Sequence, residues 1–192
     1  MQMQADEHTD DQGSSRVGSA LREMVETILL TLLIYVLIRT FLIENYRVVG
    51  HSMVPTLADR EFLVVSKLDY RLRDPRRGDI IVFFDPRDGD RKLIKRIIGL
   101  PGETVAINNG QVSIDGQTLE EPYIQNQGRY SASPTLVPEG HYYVLGDNRA
   151  NSSDSHNWGT LAENKIVGRA WFSYWPPEVW GLIQHEEYAL AP

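Results

Sequence analysis

The sequence predicts a mainly β protein: a single, mostly antiparallel β domain preceded by one transmembrane helix. Three observations predict it. Residues 24–43 form an apolar run. After them, short stretches rich in Val, Ile and Phe are broken repeatedly by Pro, Gly, Asn and Asp. Beyond residue 43 only one short segment has the look of a helix start. The expected organisation is a polar, disordered tail over 1–23, a transmembrane anchor over 24–43 and a β-rich domain over 44–192.

Asp6, Glu7, Asp10, Asp11 and Glu23 stand in the first segment against Arg16 and Arg22, and Gln, Ser and Gly supply much of the rest. That composition suits a solvated tail. Between Met24 and Ile43, 15 of 20 residues are apolar, and twenty helical residues rise roughly 30 Å, the thickness of a bilayer core. Thr27 and Thr31 can return their hydroxyls to the preceding turn, and Glu26 and Arg39 sit near the ends, within reach of headgroups. The stretch without charges, Thr27 to Ile38, is 12 residues long, a length that a buried core helix also satisfies. A cleaved secretion signal fits less well, because its leading flank would be acidic and bulky Phe41, Leu42 and Ile43 stand where small residues are needed. The arginines flanking the span do not fix its orientation.

Strands are expected at Tyr46 to Val49, Glu61 to Leu68, Asp79 to Phe84 and Lys92 to Leu100. Ala106 to Ile114 reads as a hairpin turning at Asn109-Gly110, and Asp115-Gly116 offers a second tight turn. Tyr142 to Leu145 and Ile166 to Tyr174 complete the set. Thr160-Leu-Ala-Glu163 has the form of a capping box and predicts a helical turn or two. No internal repeat is visible. Of the 192 residues, 42% are apolar and 23% charged, enough for a packed core. The absence of cysteine excludes disulfide scaffolds, thiol nucleophiles and cysteine-bound zinc. A formal net charge of −7 disfavours nucleic-acid partners, which need clustered Lys and Arg.

Chemistry-bearing residues are few. His8, His51, His141, His156 and His185 are scattered without metal-ligand spacing, so no metal is expected. Gly99-Leu-Pro-Gly102 is a turn with Pro inside and not a phosphate cradle, and no GxSxG elbow occurs. Hydroxyls and their bases remain. Ser52 lies in Gly50-His-Ser-Met-Val-Pro-Thr-Leu57, where Gly50 permits unusual backbone and Pro55 stops regular structure; most serines in such loops are turn residues. The chain has four lysines, Lys67, Lys92, Lys95 and Lys165. Strand alternation puts Lys95 on one face with Leu93 and Ile97, and Lys92, Ile94, Arg96 and Ile98 on the other. Aliphatic neighbours on both sides disfavour an ammonium and lower its pKa; alternatively the stem lies over them and the head reaches water. A third cluster, Gly146 to Gly159, holds Asp147, Arg149, Ser152 and Asp154, side chains that orient partners or secure a surface loop.

Together these segments resemble the boxes of the type I signal peptidase family, membrane-anchored serine proteases with a Ser/Lys dyad. Ser52-Met-Val-Pro-Thr-Leu57 matches the nucleophile box, Arg77 to Phe83 the following strand, Lys95 to Glu103 the general-base box, and Gly146 to Gly159 the GDNR…S.DS..WG box. The similarity runs from about Ile34 to Pro177, and four boxes in order are far more specific than any one. The resemblance implies a β domain of signal-peptidase type, with Ser52 as nucleophile and Lys95 as general base. It further implies Ser152 orienting the lysine amine, Met53 placing the serine, Arg96 and Asp147 as a supporting ion pair, and Arg149 and Asp154 in the same scaffold. Some members carry a serine where Gly50 stands, so the oxyanion donors here are expected to be backbone N–H groups around Gly50 and Ser52, chiefly that of Ser52. Many have arginine at the position of His156, which leaves the partner of Asp154 open.

The resemblance also implies the activity: secretory preproteins are cut after small residues, commonly Ala-x-Ala, beside the lipid bilayer on its non-cytoplasmic side, without metal or cofactor. Trp171, Phe172, Tyr174, Trp175 and Trp180 are expected partly as an interfacial surface and partly as core. Three other functions compete: a self-cleaving repressor-type Ser/Lys protease, a Ser/His/Asp hydrolase using His141 or His156, and a non-enzymatic membrane-anchored binding module.

Overall fold

The computed structural model describes residues 11–186 and 188, with side chains from Gly18 onward. The chain divides into two units at Leu42/Ile43. The first contains helix α1, Asp11–Leu37, followed by a π-helical turn, Ile38–Leu42. Within it Gly18–Phe41, 24 residues, is long and apolar enough to cross a membrane, and its side chains are unburied. Thr27 and Thr31 donate their hydroxyls to the Glu23 and Thr27 carbonyls at 2.8 Å, the internal satisfaction that an apolar surrounding requires. The helix starts well before Met24. Residues 11–23, expected as disordered tail, are thus helical, in keeping with the helix formers Ala20 to Glu23 and an i,i+4 pair from Arg22 to Glu26 at 2.7 Å. The rest of the expected tail lies outside the described residues.

The second unit is antiparallel β. Its strands are β1 Ile43–Arg47, β2 Phe62–Ser66, β3 Ile80–Phe84, β4 Lys92–Gly99, β5 Thr104–Asn108, β6 Gln111–Ile114, β7 Gln117–Thr118, β8 Ala132–Leu136, β9 His141–Leu145, β10 Leu161–Ala162, β11 Ile166–Trp175 and β12 Gly181–Leu182. The larger sheet runs β1-β2-β11-β3-β4-β9-β10 with β12 against β11, and the smaller runs β7-β6-β5-β8. Two short helices, α2 Asp69–Leu72 and α3 Ser155–Trp158, lie between strands.

The turns explain the smaller sheet. Asn109 and Gly110 both have positive φ, 48° and 84°, and join β5 to β6 with Asn108 opposite Gln111. Asp115 and Gly116, at 50° and 85°, do the same between β6 and β7. Two left-handed residues in a two-residue loop match the strand twist, which is why Asn-Gly and Asp-Gly stand there. Strand β8 carried no apolar alternation and holds Pro134. It is an edge strand, where proline is tolerated.

Thr160 to Glu163 does not start an α-helix. Leu161 is fully buried and pairs opposite Tyr142 in β10, and the Glu163 N–H goes to the Gly140 carbonyl at 2.8 Å. Only a 3₁₀ turn, Glu163–Lys165, follows. Burial of one leucine beside β9 outweighs a local capping preference.

Strand β4 has buried residues on both faces. Leu93 and Ile97 join a cluster with Ile81, Phe83 and Val144. Ile94 enters a separate cluster with Met53, Leu57 and Leu63, and Ile98 a third with Val105 and Tyr143. The strand bearing Lys95 is therefore held by packing from two sides, which fixes where its side chains point.

Candidate active site

The chain leaves β1 into a loop whose ends are tied by hydrogen bonds: Val48 N–H to the Glu61 carbonyl at 2.8 Å and Arg60 N–H to the Val48 carbonyl at 2.9 Å. Gly50, at φ 92°, turns it, and its N–H donates to Asp59 Oδ1 at 2.8 Å. Beyond the turn, Met53 and Leu57 plunge into the core and leave Ser52 above them. The loop after β9 grips the serine from the other side. Asn148 N–H donates to the Ser52 carbonyl at 3.0 Å, and Asn148 Nδ2 to the His51 carbonyl at 3.1 Å.

Lys95 comes from the middle of β4. Its Nζ lies 2.7 Å from Ser52 Oγ and 2.8 Å from the Ile94 carbonyl. The residue is 3% exposed. Burial pushes its pKa down from 10.5 to about 8, against the opposing pull of Asp154 and Asp147; Arg91 adds to the lowering. Serine and lysine line one groove of about 930 Å³. The Ser52 N–H donates to no acceptor among the described residues, and a side chain built at Gly50 would meet open space.

The family model for signal peptidase, peptidase S26, matches residues 21–175. The chain belongs to that family. It is 41% identical over 170 residues to a probable signal peptidase I-1 of Synechocystis, covering 85% of this chain and 87% of the relative. It is 44% identical over 169 residues to a signal peptidase I of Leptolyngbya laminosa, covering 84% and 83%. A crystal structure of a signal peptidase I from Enterococcus faecalis aligns with a TM-score of 0.44 at 36% identity, over 50% of this chain and 97% of that one.

The remaining boxes surround the pair. Arg96, fully buried, clamps Asp147 through Nε at 2.9 Å and Nη2 at 2.7 Å and donates Nη1 to the Gly78 carbonyl at 3.0 Å. Its guanidinium lies 4.3 Å from the Tyr123 ring centroid. Thr56, four residues after the serine, donates its hydroxyl to Asp147 Oδ2 at 2.5 Å. One carboxylate thus ties the Ser52 loop, β4 and the loop after β9 together.

Arg149 and Asp154 share that loop without pairing with each other. Arg149 pairs with Glu121 through both Nη groups, Nη1 at 2.7 Å. Asp154 accepts from the Gly146 N–H at 3.0 Å, and His156 Nδ1 lies 2.6 Å from its other oxygen. The His156 ring rests on Tyr130 at 4.3 Å between centroids. His156 therefore stands as a side-chain partner of Asp154. Ser152 Oγ is buried beside Gly146 and has no hydrogen-bond partner among the described residues.

Glu121, Tyr123 and Asn148 were not singled out by sequence. Glu121 sits in a polar loop with no spacing to mark it; only the third dimension brings it to Arg149. Asn148 lies inside the GDNR box, and that match is the signal that could have found it. Among the described residues no histidine hydrogen-bonds Ser52, and no group of three or more His, Asp and Glu converges on a metal-sized site.

Proposed function

We propose that this chain is an anchored endopeptidase that removes signal peptides from secretory preproteins, with Ser52 as nucleophile and Lys95 as general base. The observation that carries this reading is the 2.7 Å contact between Ser52 Oγ and a lysine amine whose pKa burial has lowered to about 8. Membership of the signal peptidase family supports the substrate class.

The uncharged amine accepts the Ser52 proton as Oγ attacks the scissile carbonyl. The unengaged Ser52 N–H faces the developing oxyanion. Lys95, now protonated, gives that proton to the leaving amine, and the acyl-enzyme is hydrolysed by a water that the freed amine deprotonates. Ser152 Oγ, unpartnered beside this pair, steadies the amine once it carries a charge. Met53 sets the serine by filling the core beneath it, Arg96 and Asp147 hold the two halves of the pair in register, and Arg149 and Asp154 brace the covering loop.

The substrate lies extended. Strand β1 heads the larger sheet and has a free edge, and Lys92 to Lys95 of β4 pair with β3 but not with β9, whose register begins at Arg96. Both free edges border the groove, so a peptide entering it adds as a strand. The family preference for small residues, Ala-x-Ala, is the specificity proposed. Residues 24–43 serve as a single-pass anchor and 44–192 as the catalytic domain on the non-cytoplasmic side.

Cleavage of a purified preprotein in detergent tests this. Ser52→Ala and Lys95→Ala are each expected to lower kcat/KM by at least about 10³-fold, because either removes a group that works only with the other. His141→Ala and His156→Ala retain turnover. Wild-type activity rises with pH through about 8 as Lys95 loses its proton. A profile flat across that range contradicts the assigned base.

A further inference from the structure

The groove that holds Ser52 and Lys95 has a charge opposite to that of the chain. Arg47, Arg87, Arg91 and Lys92 line it against Glu44 and Asp90, an excess of positive charge even with Lys95 uncharged, in a chain of net charge −7. Most of these cations are committed. Arg87 is held by Asp85, through Nε at 3.0 Å and Nη2 at 2.9 Å. Lys92 is paired with Glu44, and Arg47 lies 5.6 Å over the Phe62 ring.

Arg91 differs. Its backbone is bonded, N–H to the Asp88 carbonyl at 3.1 Å and carbonyl from the Asp85 N–H at 2.7 Å. Its exposed guanidinium has no hydrogen-bond or ion-pair partner among the described residues. Arg91 lines the groove together with Tyr46 and Lys95, and its positive charge acts to lower the pKa values of both. Five donors lining the groove, without a partner among the described residues, suit a carboxylate, which matches the guanidinium fork.

Position gives the register. Arg91 immediately precedes β4, four residues before Lys95, and extended chain covers about 13 Å in that distance. A substrate strand along the free edge of Lys92 to Lys95 has the same rise per residue. We propose that Arg91 forms a specificity subsite for an acidic side chain of the substrate, about four residues from the scissile bond. The subsite rests on Ser52 and Lys95 being the cleaving pair.

The test uses the full chain in uncharged detergent and peptides with an Ala-x-Ala site. Each peptide carries Asp or Asn at one position, about three to five residues from the cut on either side. At one such position the wild type is expected to prefer Asp by about fivefold in kcat/KM, the scale of one charge-assisted contact at a partly exposed site. The preference shrinks toward unity in about 1 M salt. Arg91→Gln brings the Asp/Asn ratio to about one, and Arg91→Glu inverts it, favouring a Lys peptide over the Asp peptide. A wild-type ratio near one at every position, or a ratio unchanged by Arg91→Gln, overturns the subsite. So does an Arg91→Gln effect that appears only as altered dependence on anionic vesicles, which would assign the guanidinium to a lipid headgroup. A wild type that cleaves neither peptide overturns the cleaving pair, and the subsite with it.

Discussion

An ammonium taken out of water is penalised by its surroundings, and Lys95 carries that penalty in the native state. Its pKa falls from 10.5 to about 8, a difference of roughly 3 kcal/mol between the protonated forms of the folded and unfolded chain. Between those two values the unfolded chain holds more protons than the folded one, so stability rises with pH through the window and the cost is complete below about 8. Lys95→Met keeps the apolar stem and discards the amine. It is expected to be more stable than the parent at pH 7 by up to about 3 kcal/mol, with the advantage fading toward pH 10.5. Urea denaturation at several pH values measures this; a variant no more stable than the parent at pH 7 contradicts a strained amine. The residue was legible because strand alternation set Leu93 and Ile97 beside it. The depth of its burial was not, since 3% exposure depends on the Ser52 loop folding over the strand from a different part of the chain.

The elements that form the site are two loops pressed against one strand, and they pack tightly at Gly146. A Cβ there would come within 2.3 Å of Ser152 Oγ and 2.5 Å of the Ser52 carbonyl oxygen. The first neighbour is a side chain that can turn aside; the second is the backbone of the Ser52 loop and cannot. Gly146→Ala is therefore expected to push the Ser52 loop off Lys95, lowering kcat by about 10²-fold, the scale of a misplacement near 1 Å. Single-turnover kinetics beside a folding check separate this from unfolding. Asp147→Ala acts differently, leaving the Arg96 guanidinium buried without its carboxylate at a cost of about 3–5 kcal/mol; an unchanged midpoint in urea would contradict the clamp. At this scale sequence reading succeeded where chemistry was local. Asn109-Gly110 and Asp115-Gly116 named their hairpins through backbone conformations that few residues adopt. It failed where tertiary contact decided, as with Leu161, drawn into a strand by burial beside Tyr142, and Glu121, brought to Arg149 from a loop that local sequence left unmarked.

At the scale of the molecule, the helical and β units present apolar surface of different kinds. Gly18–Phe41 is long and apolar enough to cross a membrane and is unburied, as a span surrounded by lipid would be. The β unit has its own patch. Trp171, Trp175 and Trp180 are 47%, 54% and 70% exposed, while Phe172 and Tyr174 are half-buried. Phe172 lies 6.2 Å from Trp171 and 6.3 Å from Trp180 between centroids. Leu182, 67% exposed, pairs opposite Phe172. Indole rings clustered at a surface favour the boundary between water and hydrocarbon. A chain beginning at Ile43 keeps both sheets and the whole groove, since every residue lining the groove follows that point. It is expected to fold cooperatively, to cleave short peptides with kcat/KM within a few-fold of the full chain, and to bind vesicles weakly and reversibly. Trp175→Ser with Trp180→Ser should abolish that binding and leave peptide cleavage in place. Co-sedimentation and the blue shift of tryptophan emission on adding vesicles measure the binding. If the shortened chain ignores vesicles, the aromatic cluster is not a lipid contact; if it binds and the double variant binds equally, the contact lies elsewhere on the β unit.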